Sequence, residues 1–480
     1  MPSSTFVRDI SREARQTMNV GRQADASPNH IFIDCTPTSR RNCGTGVQRV
    51  VLNVVNHAVA AGNALDIECQ GLNYTARHGF RPVASLTSRA HAEPAPVATG
   101  AVAVMSPRLT AGLKAPLRLL RHGARETLTA LQLMNTVRNV KRSVKFQINT
   151  AQQLLAGDAE SSVRPGRGDM LLLTDTIWDT PEVWDGVRRS ASRGAMVGAI
   201  VYDLIPLRFP ELYGAYVAKI FKDWITKVAY YSDFLMCISE AVWEDTKDYL
   251  KTNRIRNRRG EELRGGFFRL GVGLDAPADS IKVRPELARL YANDASQNPY
   301  LVVGSFDPRK DLGTVVRAFE WLWAGGSQAK LVTVGRPYTG SSPLERLVAE
   351  HPEQGRRLIS LQDVEDAELD YCYRRSAALI TASYAEGFNL PIVESLQRGR
   401  PVLAGDIPVH REVGGDFAHY FPCGQPGKLA ELITRQQRGS LHRGLEQVQD
   451  FTWPDWTVSC QELFQKLSAL YAAGANQKAA

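Results

Sequence analysis

Short apolar runs alternate with stretches of helical period along this chain, and the whole alternation occurs twice. The first series opens with a strand at Ile31–Asp34 and a polar loop ending Gly44-Thr45-Gly46. A helix from Val47 to Ala60 follows, its apolar positions Val47, Val50, Val51, Val54 and Val55 recurring on one face. Further strands are expected near Leu65–Cys69 and at Met170–Thr174, Ala195–Val201 and Phe234–Ile238. A helix bearing Tyr213, Tyr216, Phe221 and Trp224 precedes the last of these, and helical sequence follows from Glu240 to about Leu250. A loop rich in Asp, Ala and Pro between Gly273 and Pro299 reads as a domain boundary. Beyond it strands at Tyr300–Val303, Leu331–Val334, Leu358–Leu361, Ala377–Thr381 and Pro401–Ala404 are separated by helical segments. Strands this apolar, each followed by a helix, predict an α/β chain whose parallel sheets are covered on both faces. Two Rossmann-like, doubly wound domains in tandem, at 30–280 and 296–452, leave a cleft between the carboxyl edges of their sheets, where such folds bind ligands.

At 480 residues the chain suits two or three domains, and 44% hydrophobic with 22% charged residues is the balance of a water-soluble globular protein. No apolar run approaches the ~18 residues of a membrane span, and the polar, mixed-charge residues 1–29 read as a flexible lead-in rather than a secretory signal. The seven cysteines are scattered at 35, 43, 69, 237, 372, 423 and 460, which argues for reduced thiols in the cytosol. No compact metal-binding pattern is seen, so no metal is expected. The net charge of +8 is uneven: residues 101–150 hold nine Lys or Arg against Glu126 alone. There Leu117, Leu119 and Leu120 sit among Arg118, Arg121 and Arg125, within a basic excursion near 80–165. The basic residues near 108–145 read either as a contact with an anionic membrane surface or as a solvated helical excursion. The cluster Arg254, Arg256, Arg258 and Arg259 reads as solvated, and neither basic cluster interleaves aromatics as a nucleic-acid platform does, so no nucleic-acid partner is expected.

The chemistry concentrates in Glu386-Gly387-Phe388-Asn389-Leu390-Pro391-Ile392-Val393-Glu394. A strand precedes this segment and a helix opens inside it. Gly387 allows close backbone approach and Pro391 suits a first helical turn. Backbone N–H groups at a helix start favour an anion, and carboxylates on either side of the turn can accept from the hydroxyls of a sugar or ribose. An E-x7-E spacing by itself also arises from solvated helix charges. The surrounding text is more specific. Asp363-Val364-Glu365-Asp366-Ala367-Glu368-Leu369, Arg398-Gly399-Arg400-Pro401-Val402 and Val303-Gly304-Ser305-Phe306-Asp307-Pro308-Arg309-Lys310-Asp311-Leu312 resemble the donor-binding half of the retaining family 4 glycosyltransferases.

That resemblance implies the GT-B architecture, with a last helix in 453–480 that crosses back to the first domain. It implies that Lys310 contacts the donor's phosphates, with Arg309 beside it, that Glu386 positions the donor sugar, and that the N–H groups of Gly387, Phe388, Asn389 and Leu390 face sugar and diphosphate. Glu394 would hold the ribose, and backbone atoms at Val364 would meet the base. Many members carry arginine where this chain has Ser305, which puts the second phosphate ligand in question. From the first domain, Gly44, Thr45 and Gly46 occupy the family's glycine-rich loop. Asp203 ends a strand as an active-site carboxylate or as a structural cap, after Tyr202 where related sequences often have histidine. Ser239 fits a strand-end serine of the family or an ordinary helix N-cap.

The pattern Asp34-x-Thr36 with Gly44–Val50 and Asp203-Leu204-Ile205-Pro206 resembles bacterial mannosyltransferases that build O-antigen and exopolysaccharide. It implies a metal-independent hexosyltransferase that needs no cofactor. GDP-mannose would be the co-substrate donor, and a growing glycan or lipid-linked glycan the acceptor. The enzyme would be cytoplasmic and would dock on the inner face of the membrane. Two other readings share the architecture: a nucleotide-sugar 2-epimerase and a catalytically silent scaffold of a polysaccharide assembly complex.

Overall fold

A computed structural model of the chain describes residues 27–40, 45–86, 162–273, 283–291, 298–336, 343–441 and 448–479. Two sheets organise them. The first comprises β1 His30–Asp34, β2 Glu68–Thr75, β3 Gly79–Val83, β4 Asp169–Leu173, β5 Met196–Val201, β6 Phe234–Cys237 and β7 Arg264–Phe267. Its order is β3-β2-β1-β4-β5-β6-β7, parallel throughout except for the β2–β3 hairpin. The second comprises β8 Tyr300–Val303, β9 Leu331–Val334, β10 Leu358–Leu361, β11 Leu379–Thr381, β12 Val402–Gly405 and β13 Ala418–Phe421, all parallel, in the order β10-β9-β8-β11-β12-β13.

Burial on both faces explains why these strands read as continuous apolar runs. All six residues of β5 are buried, and a Cβ at Gly198 would stand 2.0 Å from the Phe234 ring, so this glycine makes room for the neighbouring strand's aromatic. Each sheet reverses its strand order once, between β1 and β4 and between β8 and β11. Those two switch points open crevices at the carboxyl ends of the strands.

The helix Gly46–Asn63 starts at a capping box in which Thr45 accepts from the Gln48 N–H and Gln48 reaches back to Thr45. It buries Val50, Val51, Val54, Val55 and Ala58. The long helix Trp456–Ala479 packs on it, with the Cys460 thiol 3.8 Å from the Asn53 carbonyl. Ser459 and Lys466 of that helix each donate at 2.6 Å to the carbonyls of Arg269 and Phe267, so the last helix lies against the first sheet.

Two sequence expectations need correction. The strand placed at Leu65–Cys69 begins only at Glu68, because the N–H groups of Leu65 and Ile67 close a turn on the Gly62 carbonyl, with Asp66 left-handed at φ 58°. The excursion near 80–165 opens later than expected: Phe80–Val83 belong to β3, and Val163 bridges back to Phe80. Residues 87–161, with Arg118, Arg121 and Arg125, lie outside the described residues. In the second basic cluster Arg258 and Arg259 pair with the buried Asp233 at 3.4 and 2.7 Å, so these two anchor the start of β6.

The first sheet's switch point holds an unusual carboxyl group. Asp34 is fully buried; Thr36 donates to its Oδ1 at 2.5 Å and its Oδ2 has no partner. Burial, opposed by the Thr36 hydrogen bonds and reinforced by Asp175, pushes its pKa up to about 7. A carboxyl raised in the folded state contributes stability below its unfolded pKa of about 3.9, and that contribution is lost as pH rises through 7. Asp34→Asn should therefore melt higher than wild type at pH 8, by up to a few kcal/mol of stability, and lose that advantage at pH 4. Equal melting differences at both pH values would show that Asp34 does not titrate with folding.

Candidate active site

At the second switch point, two loops meet. The chain leaving β8 forms a tight turn, Pro308–Lys310, held by caps at both ends. Asp307 accepts from the Arg309 N–H at 3.1 Å, and Asp311, left-handed at φ 45°, accepts from Thr314 at the start of the helix Leu312–Ala324. The chain leaving β11 is tied to this turn by the Tyr384 N–H, which donates to the Arg309 carbonyl at 3.1 Å.

Their side chains form one ion cluster. Lys310 Nζ and Ser383 Oγ each lie 2.8 Å from Glu386 Oε1. The Arg309 guanidinium binds the other Glu386 oxygen, and reaches the Ala385 carbonyl at 2.9 Å and Asp307 at 3.2 Å. Burial alone would raise the Glu386 carboxyl, but Arg309 and Lys310 outweigh it and hold the group well below the usual carboxylate range. Arg309 is likewise held fully charged: Glu386, Asp307 and Asp203 overcome its own desolvation.

The first half of the chain closes over this cluster. Asp203 follows β5 and accepts from the Ile205 N–H at 3.0 Å, so it does cap a turn. It also feels Arg309, Glu386 and Asp307, and burial leads in raising its pKa, with Arg309 opposing. Tyr202 has a different task, since its hydroxyl donates to the Thr174 carbonyl at 2.5 Å within the first half. Ser239 caps the helix Glu240–Thr252 by accepting from Val242, and donates across the cleft to the Gly387 carbonyl at 2.7 Å. The same helix start receives Glu412 from the other half, which accepts from Glu240 and Ala241 at 2.7 and 2.9 Å.

At Gly387 the halves approach without room for a side chain: a Cβ there would lie 2.2 Å from the Tyr202 carbonyl oxygen. Phe388 turns inward, buried against Trp453. Asn389 is left-handed at φ 77°, and its amide donates to Thr381 at 2.9 Å and to His410 at 2.8 Å. His410 faces the Gly405 carbonyl with Nδ1, and burial lowers its pKa, so it stays neutral and accepts from Asn389. Leu390 begins the helix Leu390–Leu396, with Pro391 in its first turn. Glu394, almost fully buried, has both oxygens engaged: Arg49 donates to one at 2.7 Å and the Tyr373 hydroxyl to the other at 2.7 Å. Arg49 also lies 3.8 Å from Asp366.

The fold thus gathers Asp203, Arg309, Lys310, Glu386 and Gly387 at one place, with Glu394 next along the helix. Ser305 is half-buried at the start of the β8 loop; Val364 packs half-buried against the core behind Asp363. Thr45 and Gly46 form the exposed start of their helix, and Gly44 lies outside the described residues. Sequence reasoning gave no role to Arg49, which it met only as part of the Gly44–Val50 motif, or to Tyr373, Ser383, Tyr213 and Glu412. Tyr213 donates to Asp307 at 3.3 Å from the first half. Arg49, Tyr213 and Glu412 meet their partners only across the two halves and Tyr373 reaches Glu394 from a neighbouring helix, whereas Ser383 lies three residues before Glu386, in the loop the sequence had already singled out.

Residues 284–439 match the family described as Glycosyl transferases group 1. The serotype-specific mannosyltransferase WbdA of Escherichia coli is 31% identical over 316 residues, 66% of this chain and 39% of that protein. O-antigen chain mannosyltransferase B of Escherichia coli is 26% identical over 187 residues, 36% of this chain and 47% of that protein. The chain therefore spans about two fifths of the length of the WbdA relative. Among solved structures, sucrose-phosphate synthase from Thermosynechococcus elongatus superposes with a TM-score of 0.54 at 16% identity, covering 93% of this chain and all of that one. HepE of Anabaena, in complex with UDP and glucose, gives 0.50 at 12% identity over 92% of this chain and 99% of that one. At these identities the structural likeness concerns the fold alone.

Proposed function

We propose that this protein, whose residues 284–439 match the group 1 glycosyltransferases and whose two-sheet architecture is that of the GT-B fold, transfers a hexose, mannose in the leading reading, from a nucleotide-diphosphate sugar to a growing glycan or lipid-linked acceptor. One observation carries the proposal: Arg309, Lys310 and Glu386 are assembled at the second sheet's switch point, inside the matched domain. Mannose is favoured because the WbdA and O-antigen relatives are named mannosyltransferases.

In this reading the leaving diphosphate gathers negative charge as the glycosidic bond breaks, and Lys310 and Arg309 supply fixed positive charge to meet it. Glu386 stays ionised between them and orients the donor's hydroxyls. Glu394 receives the ribose hydroxyls after Arg49 gives up one of its oxygens, which brings the freed guanidinium toward the donor. The acceptor's proton passes to a departing phosphate oxygen on the face it leaves, which retains configuration. Asp203 contributes its carboxyl from the acceptor side. No metal ion has a task in this scheme.

The test is a thermal-shift panel of nucleotide diphosphates and their sugars in EDTA, repeated on Glu394→Ala. GDP and GDP-mannose should raise the melting temperature, and the substitution should weaken the response. A response only when divalent metal is restored would remove Lys310 and Arg309 from their role. Silence toward every nucleotide would overturn the transferase reading.

No helix among the described residues is long and apolar enough to cross a membrane. For the basic stretch near 108–145 we propose contact with an anionic membrane surface, on sequence grounds. Replacing Arg118, Arg121 and Arg125 with glutamine should release the protein from phosphatidylglycerol vesicles at low salt; unchanged sedimentation with the vesicles would discard that contact.

A further inference from the structure

The helix Pro210–Tyr231 starts at the cleft, where Tyr213 meets Asp307, kinks at Gly214 and then follows the flank of the first half. Beyond the kink, Tyr216, Ile220, Asp223 and Lys227 recur at i, i+4, i+7 and i+11, which places them along one side of the helix. Tyr216 is 73% exposed. Facing this track, the turn Ile177–Asp179 leaves the carboxyl edge of β4 and sets Trp178 edge-on to Phe221, ring centroids 5.7 Å apart. Trp184 comes from the helix Val183–Ser192. Between these elements lies a cavity of ≈ 180 Å³ lined by Trp178, Trp184, Ile220, Asp223, Trp224 and Lys227.

Three features of this cavity are unlike ordinary core packing. Trp178, one of three tryptophans lining it, remains 37% exposed, although burying an indole is among the larger gains open to a side chain. Asp223 and Lys227 are exposed at i, i+4 spacing, yet neither is engaged in an ion pair among the described residues. The buried Trp224 Nε1–H has no hydrogen-bond acceptor. Apolar ring faces beside a free carboxylate and a free ammonium match the surface of a pyranose. Its C–H face stacks on aromatics, while its rim of hydroxyls both donates and accepts.

The geometry points to a carbohydrate subsite in this cavity, one that holds a hexopyranose unit of the acceptor glycan away from the reacting end. The inference rests on the transferase reading above and extends it to acceptor length. Size favours a sugar over a protein: the space is on the order of ten water volumes, whereas a stable protein interface covers ≈ 800 Å² on each partner. Position favours a distal unit, because Ile220 and Trp224 lie on the order of 10 Å along the helix from the kink beside Tyr213. The exposed Tyr216 continues the aromatic track between cleft and cavity.

The experiment compares mannotetraose with methyl α-mannoside by isothermal titration and as transfer acceptors, on wild type, Trp178→Ala and Asp223→Asn. Binding of GDP, UDP and ADP is followed in parallel. Mannotetraose should bind wild type and weaken by at least about fivefold in each variant. KM for mannotetraose should rise equally while kcat, GDP affinity and turnover with methyl α-mannoside stay unchanged. Asp223→Asn, at an exposed helix position, keeps the test valid if Trp178→Ala folds poorly. Equal mannotetraose binding in wild type and Asp223→Asn, with GDP still bound, would overturn the subsite and leave the donor site standing. A concentration-dependent loss of oligomers in Trp178→Ala would reassign the groove to a protein contact. Failure of GDP, UDP and ADP alike to bind would remove the transferase reading, and the subsite with it.

Discussion

Lys310→Ala should lower turnover about 10²–10³-fold, the usual consequence of removing one positioned donor from a developing anion. Its melting temperature should stay close to wild type, because Glu386 keeps Arg309 and Ser383 as partners. Arg309→Ala should behave differently. Arg309 is the cation shared by Glu386, Asp307 and the nearby Asp203, and its loss leaves Lys310 on Glu386 while Asp307 loses its ion pair and Asp203 its nearby cation. Breaking a buried ion pair from one side costs about 3–5 kcal/mol, so this variant should lose both activity and several degrees of melting temperature. Calorimetry with single-turnover kinetics separates the two, and normal turnover in Lys310→Ala would take the cluster out of the chemistry. Acidity probes the same cluster. Glu386 is depressed in the folded state, so its contribution is present above the unfolded carboxylate range near 4.3 and fades as pH falls below it. Glu386→Gln should flatten the acid limb of the stability curve.

Gly387→Ala should be nearly as damaging to turnover, for a reason that has nothing to do with charge. A Cβ at 387 would sit 2.2 Å from the Tyr202 carbonyl oxygen, a backbone atom of the opposite half that cannot swing aside. The halves must then separate locally, and Ser239 loses its bond to the Gly387 carbonyl. A displacement of about 1 Å between reacting groups can cost 10²-fold in rate. The substitution should therefore lower kcat by about that factor while nucleotide affinity, which the proposed scheme assigns to the second half, changes little. Small-angle scattering should report a more open pair of domains. Wild-type kcat with an unchanged scattering profile would mean that the close approach at 387 is not needed for transfer.

Periodicity made the strands of the second sheet legible: Tyr300–Val303, Leu331–Val334 and Leu358–Leu361 have the limits expected, because each is a short, mostly apolar run bounded by polar loops. β7 escaped notice, since Arg-Gly-Gly-Phe has neither the alternation nor the apolar content of a strand and is built by pairing with β6. β13, with its Ala-His-Tyr-Phe sequence, was missed for a similar reason. At the site, the turn Pro308–Lys310 and the loop at Glu386 were visible because their residues are close together in sequence. The partners of those residues were not. Arg49 meets Glu394 across 345 residues and Ser239 meets Gly387 across 148, separations that no local pattern encodes.

The helix Trp456–Ala479 follows the second sheet in sequence but buries Leu463, Phe464 and Leu467 against the first. A gene cut at the linker before β8 would leave the amino-terminal piece with an uncovered apolar face and burden the carboxyl-terminal piece with an orphan helix. Recombination that exchanges the second sheet and its helices between relatives should therefore use two crossovers, the second shortly before Trp453, so that the returning helix is inherited with the fragment it seals. The compatible module is an insert with its own boundaries, and chimeras joined at a single point should yield aggregates rather than hybrid enzymes.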